Sequence, residues 1–145
     1  MFPGTVQSRA AEIKKGSDTM ISKTFGAGKH RINLTAHLTN GSGLAVIVDG
    51  GERAHLGGVA LASPGVKIDG QQLSNCDLWT LTVPGHKDVQ LAEKIAKKLC
   101  LETGEPVSVS LGVHVEHATA QDINLLCENV EAAADLFLKE YLKND

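Results

Sequence analysis

Three short stretches of the chain place histidines where their neighbours equip them for chemistry. In PGHKD, residues 84–88, a strand gives way to a helix, and the unpaired backbone N–H groups of a helix start attract anions. Gly85 permits close approach, Lys87 supplies positive charge and His86 donates when protonated, so the stretch suits a phosphate or carboxylate. The same residues also read as a plain helix start, with Asp88 in its first turn and two solvated side chains. In GVHVEH, residues 112–117, Gly112 precedes a strand end that puts His114 and Glu116 on one face and His117 on the other. A histidine beside a carboxylate suits hydrogen bonding or general-base work, because the carboxylate fixes the tautomer. With His55 or His86 as a third ligand the pair would suit zinc, although the spacing is not the helical H-E-x-x-H pattern.

The third stretch is GGERAHLGGVALASPG, residues 50–65. Gly50 and Gly51 follow the apolar run LAVIV and tolerate positive φ at a turn, while Gly57 and Gly58 leave a strand face bare. Bare backbone lets a flat ligand lie close, and His55, Glu52 and Arg53 bring polar groups to the same place. A glycine bulge packed against another backbone explains the same residues without a ligand. The array is not G-x-G-x-x-G before a helix, so no dinucleotide fold is implied.

These stretches need a scaffold, and the residue periodicity supplies one. Residues 1–17 show no clear period and read as an N-terminal extension, with one α+β domain over 18–145. Period-two stretches punctuated by GAG and NGSG between residues 20 and 51 predict an antiparallel meander of three strands. HLGGVALAS predicts another strand, PGVKIDGQQLSN a polar connection, and CDLWTLTV a strand ending at Pro84. From Asp88 the period becomes helical, with Val89, Ala92, Ile95, Ala96 and Leu99 on one face, until Gly104 and Pro106. VSVSLGVHVEH alternates as a strand. Thr119 and Asp122 then form a T-x-x-D capping box for a last helix whose buried stripe is Ile123, Leu126, Val130, Ala134, Phe137 and Tyr141. The order predicts a two-layer α+β sandwich: a mainly antiparallel sheet of about five to six strands with both helices on one face.

The second sheet face carries small polar residues. In the strand Val107–Val115 the even positions are Ser108, Ser110, Gly112 and His114, and Asn33, Thr35 and His37 alternate with Ile32, Leu34, Ala36 and Leu38. Trp79, Leu81 and Val83, alternating with Thr80 and Thr82, read as another core row. A solvated sheet face usually carries Lys, Glu and Arg, so this one is expected to be covered, by a second copy in a homodimer, by a ligand, or by both.

Composition narrows the function classes. A net charge of −3 and sparse aromatic residues (3%) offer neither the field nor the stacking platforms of a nucleic-acid binder. No stretch approaches the apolar length of a membrane span, and the N-terminus lacks a signal-peptide core, which points to a cytoplasmic protein that meets no membrane. Cys76, Cys100 and Cys127 are odd in number and widely spaced, so they read as buried thiols rather than disulfides or zinc ligands.

GGERAHLGGVALASPG, PGHKD and SLGVHVEHA, in this order and spacing, resemble the prenylated-flavin chaperone-like proteins, a family that includes the D subunit associated with gallate decarboxylase. The resemblance implies a non-catalytic accessory protein that binds reduced prenylated FMN, or FMN, and delivers it to a prenylated-FMN-dependent decarboxylase. Its matching positions are Gly50, Gly51, His55, Gly57 and Gly58, then Gly85, His86 and Lys87, then Gly112 and His114. On that basis His86, Lys87 and the helix start are expected to hold the phosphate, with Gly57, Gly58 and His55 near the flavin or ribityl portion. The N-terminal extension and the long connection Val66–Asn75 depart from the family. Two other readings compete: a small histidine-based, metal-assisted enzyme acting on an anionic small molecule, and a structural subunit that only dimerises. The absence of any activated Ser or Cys favours the accessory role over the enzyme.

Overall fold

The computed structural model describes residues 19–72 and 75–143; the expected N-terminal extension lies outside them. In chain order the elements are β1 (Met20–Phe25), β2 (Ile32–Leu38), β3 (Leu44–Gly51), β4 (Gly58–Pro64), β5 (Lys67–Ile68), β6 (Gln71–Gln72), β7 (Cys76–Thr82), α1 (Val89–Thr103), β8 (Val107–His114) and α2 (Ala120–Leu142). One six-stranded sheet runs β1-β2-β3-β8-β4-β7, and β5 and β6 form a separate two-stranded ladder. The predicted α+β sandwich is what forms, with two helices and a mixed, mostly antiparallel sheet.

The meander β1-β2-β3 follows the expected turns, but the sheet does not continue into β4. Strand β8 inserts between β3 and β4 and pairs parallel to β3, Val46 opposite Val109. Two parallel strands need a crossover, and the chain makes it through α1, which follows β7 and precedes β8. The polar connection after β4 also holds more structure than expected: Asp69 and Gly70, at φ 51 and 78, turn β5 back on β6.

The core sits between the sheet and the helices. Ile32, Leu34, Val46, Val48, Ala60, Ala62, Val107, Val109 and Leu111 are buried on the sheet side, facing Ala92, Ile95, Ala96 and Leu99 of α1 and Leu126, Val130, Ala134 and Phe137 of α2. Removing each Val, Leu, Ile or Phe side chain of this set from water contributes roughly 1.5–3 kcal/mol. The stripe on α2 is rotated from the expected one, because Ile123 is 52% exposed while Asn129, Ala133 and Leu138 turn inward. Asn129 is needed there: its amide donates to the His30 carbonyl at 2.8 Å, tying α2 to the turn before β2.

The helix ends form as the sequence indicates. Thr119 and Asp122 make the capping box, each side chain bonded to the other's backbone N–H at 3.1 and 2.9 Å. Asp122 also meets His30 Nε2 at 2.8 Å and Lys29 at 3.4 Å. The Thr119 backbone N–H, and after it the His30 side chain, hold the Asp122 carboxyl well below the usual range. Gly104, at φ 71, closes α1 by donating to the Cys100 carbonyl at 2.8 Å. Glu105 is buried, but its carboxylate accepts from the Gly43 N–H and the Tyr141 hydroxyl.

The row on β7 is reversed from the expectation. Thr80 lies opposite buried Ala60, so Thr80 and Leu78 point to the helix side, while Trp79 and Leu81, opposite Leu61 and Val59, point to the open face. Trp79 is 57% and Leu81 75% exposed. An alternating strand at a sheet edge shows two sides, and only its register with β4 decides which is inward. The open face therefore has two halves. On β1–β3 small polar side chains bond one another, Ser22 to Thr35, Thr24 to Asn33 and Asn33 to Asp49. On β4 and β7 the face is apolar.

This assignment is checked by denaturant unfolding. Phe137→Ala, a fully buried ring stacked on Tyr141, is expected to lose about 3–5 kcal/mol, whereas Trp79→Ala should lose under about 1 kcal/mol.

Candidate functional site

The histidine-bearing stretches converge at one end of the sheet, where β3, β4 and β8 finish or begin and α1 starts. Val83, Pro84, Gly85 and His86 form a turn in which the His86 N–H donates to the Val83 carbonyl at 3.1 Å. Proline at the second position and Gly85 at φ 83 in the third give a type II turn, which explains that glycine directly. The turn delivers His86 and Lys87 to the start of α1. Lys87 is exposed and His86 half-buried.

Asp88 occupies the cap position of α1, yet its carboxylate makes no hydrogen bond to the helix amides. It turns away instead. Oδ1 accepts from the Val113 backbone N–H at 3.2 Å, and Oδ2 faces His55 Nε2 at 3.1 Å and His86 Nδ1 at 3.6 Å. The His55 and His86 rings lie 4.9 Å apart, and His114 meets His55 edge-on at 6.0 Å. His114 Nε2 in turn lies 2.9 Å from Glu116 Oε2, the pair anticipated from the alternation, and Glu52 Oε1 accepts from the Glu116 N–H at 3.2 Å. The hydrogen bond from His114, with its charge second, holds the exposed Glu116 carboxyl below its usual value. His117, exposed in a turn at φ 51, lies at the rim, its Nε2 3.9 Å from Glu116 Oε1.

The glycines allow this convergence, but not by leaving backbone open. A Cβ on Gly57 would lie 1.9 Å from Asp88 Oδ2, one on Gly58 2.7 Å from Val89 N, and one on Gly112 1.8 Å from the His55 carbonyl oxygen. Gly51, at φ 78, lies under the His114 backbone, and Gly50 under the Arg31 carbonyl. Gly50, Gly57, Gly58 and Gly112 are buried. The faces that looked bare in sequence are covered by the protein's own α1 start and His55 segment, so these glycines bring the histidines together by close packing.

Asp88 is the residue that sequence reasoning placed without a role. The available signal was a carboxylate two positions after His86, but only the fold sets it against His55 and Val113. The cysteines take no part. Burial, and after it the neighbouring Cys76, pushes the Cys100 thiol up to about 11, and burial also raises Cys127. Among the described residues no helix is long and apolar enough to cross a membrane.

The model of one protein family, described as the prenylated flavin chaperone LpdD-like domain, matches residues 26–142. The chain belongs to this family. The match takes in all three histidine-bearing stretches and the strands that carry them, in agreement with the resemblance that those stretches carry. Among solved structures, a chain from a chaperone complex for yeast 20S proteasome assembly is similar in fold, with a TM-score of 0.56 at 13% identity over 86% of this chain and 95% of that one. No curated protein matches the chain.

Two variants test the geometry. Gly112→Ala is expected to lose about 1–3 kcal/mol or more in urea unfolding, because the added methyl meets backbone rather than a movable side chain. His114→Ala should let the Glu116 carboxyl return toward 4.5, read by carboxylate NMR titration; an unmoved carboxyl would show that His114 does not govern it.

Proposed function

We propose that the protein is a non-catalytic cytoplasmic accessory factor that binds reduced prenylated FMN and hands it to a prenylated-FMN-dependent decarboxylase. The family match over residues 26–142 carries the reading, and the convergence of His55, His86, Lys87 and His114 at one sheet end supports it with groups suited to an anionic flavin. Because Asp88 turns its carboxylate away from the helix amides, those donors stay free of a side-chain cap, and with Lys87, His86 and Gly85 they suit the phosphate. His55 and His114 then approach the ribityl or ring portion, while Gly50, Gly51, Gly57, Gly58 and Gly112 hold the surrounding backbones close. Binding of this kind needs no nucleophile.

The exposed apolar half of the open sheet face, Leu61, Trp79 and Leu81 on β4 and β7, supports pairing with a second copy in a homodimer. A contiguous apolar patch on a folded chain commonly marks a protein contact.

Anaerobic gel filtration with reduced prenylated FMN tests the reading. The wild-type chain is expected to retain the flavin and slow its oxidation, with light scattering giving twice the 15.3 kDa chain mass. The double substitution His86→Ala with Lys87→Ala should weaken retention about tenfold or more, the loss expected from two charge-assisted hydrogen bonds. Absence of both retention and protection in the wild-type protein would sink the proposal.

A further inference from the structure

We propose that His55, His86 and Asp88 form a binding site for one divalent transition-metal ion of the zinc class. One ligating atom of each lies within 4.8 Å of the others, and His55 Nε2 and His86 Nδ1 are the nitrogens that face the Asp88 carboxylate. Donor atoms held at about 2.0–2.2 Å by tetrahedral zinc lie roughly 3.3–3.6 Å apart. The two imidazole nitrogens stand 3.1 and 3.6 Å from Asp88 Oδ2, so two of the three separations already have nearly that spacing.

The partners of the triad orient these atoms as a metal site requires. His55 Nδ1 lies 3.4 Å from the Arg53 carbonyl oxygen, an acceptor to which that ring nitrogen can donate, while Nε2 is turned to Asp88. A ligating histidine commonly donates its other ring N–H to a carbonyl in this way. Asp88 Oδ1 is occupied by the Val113 N–H, which fixes the aim of Oδ2. The 3.1 Å contact of His55 with Asp88 Oδ2 leaves His86 Nδ1, 3.6 Å from the same oxygen, beyond hydrogen-bond length. One metal ion satisfies all three atoms together.

His114, the ligand expected from sequence beside Glu116, is engaged with that carboxylate instead. Two imidazoles and one carboxylate leave a tetrahedral ion one open position, suited to an anionic oxygen. The inference stands on the geometry of the cluster and does not depend on the flavin reading.

Equilibrium dialysis and calorimetry of the full chain, stripped with chelator and titrated with Zn²⁺ or Co²⁺ alone, test the site. One ion per chain is expected, with visible Co²⁺ bands. Asp88→Asn and His86→Ala should each weaken uptake roughly tenfold or more, and His37→Ala, on the exposed face of β2, should leave it unchanged. His86 is half-buried at a turn, so its variant is expected to fold, with circular dichroism as the check. No uptake by the wild-type chain, or equal uptake by the folded His86→Ala and Asp88→Asn variants, overturns the proposal. Flavin retention without metal uptake would overturn this site alone, and metal uptake without flavin retention would overturn the flavin reading alone.

Discussion

The carboxylate of Asp88 holds three separate parts of the chain in one place. It belongs to the start of α1, takes a backbone N–H from the end of β8, and faces the histidine of the β3–β4 loop. Each contact constrains a different element, so the direction in which α1 leaves the sheet and the position of His55 are set together. A carboxylate at this position ordinarily caps its own helix. Here that local bond is given up for two tertiary ones, a conflict between local preference and global structure of the kind expected at functional sites.

The glycines follow from that constraint. Gly57 leaves room for the carboxylate, Gly58 for the first residue of α1, and Gly112 for the backbone of His55. Without side chains at these positions the start of α1 lies directly against the start of β4, and the His55 backbone directly against β8. The close approach gathers His55, His86 and His114 from three segments into one group. Insertion of β8 between β3 and β4 is equally necessary, because it puts His114 beside Gly51 and Gly112 beside His55.

The open face of the sheet shows a division of labour. Its β1–β3 half satisfies its own polar groups through short side-chain hydrogen bonds, and its β4–β7 half exposes Leu61, Trp79 and Leu81. The histidine cluster lies at the end of the sheet, so a partner covering the apolar half and a ligand at the cluster need not compete for the same surface. The structural likeness to a proteasome-assembly chaperone chain extends to fold alone.

Much of this was legible along the chain. Alternation located β2, β3 and β8, helical periodicity located α1, the T-x-x-D pair marked the start of α2, and three histidine-bearing stretches carried the family resemblance. These features depend on residues a few positions apart, whose spacing sets which face they share. The position of β8, the outward turn of Trp79 and Leu81, and the rotation of the α2 stripe past Ile123 were not legible. Each depends on pairing or packing between distant segments, where an alternating strand is symmetric until its neighbour is known. The same holds for Asp88 and the glycines: composition showed residues able to bind or to bend, and only the tertiary structure decided that the glycines admit the protein's own backbone and that the carboxylate faces two imidazoles.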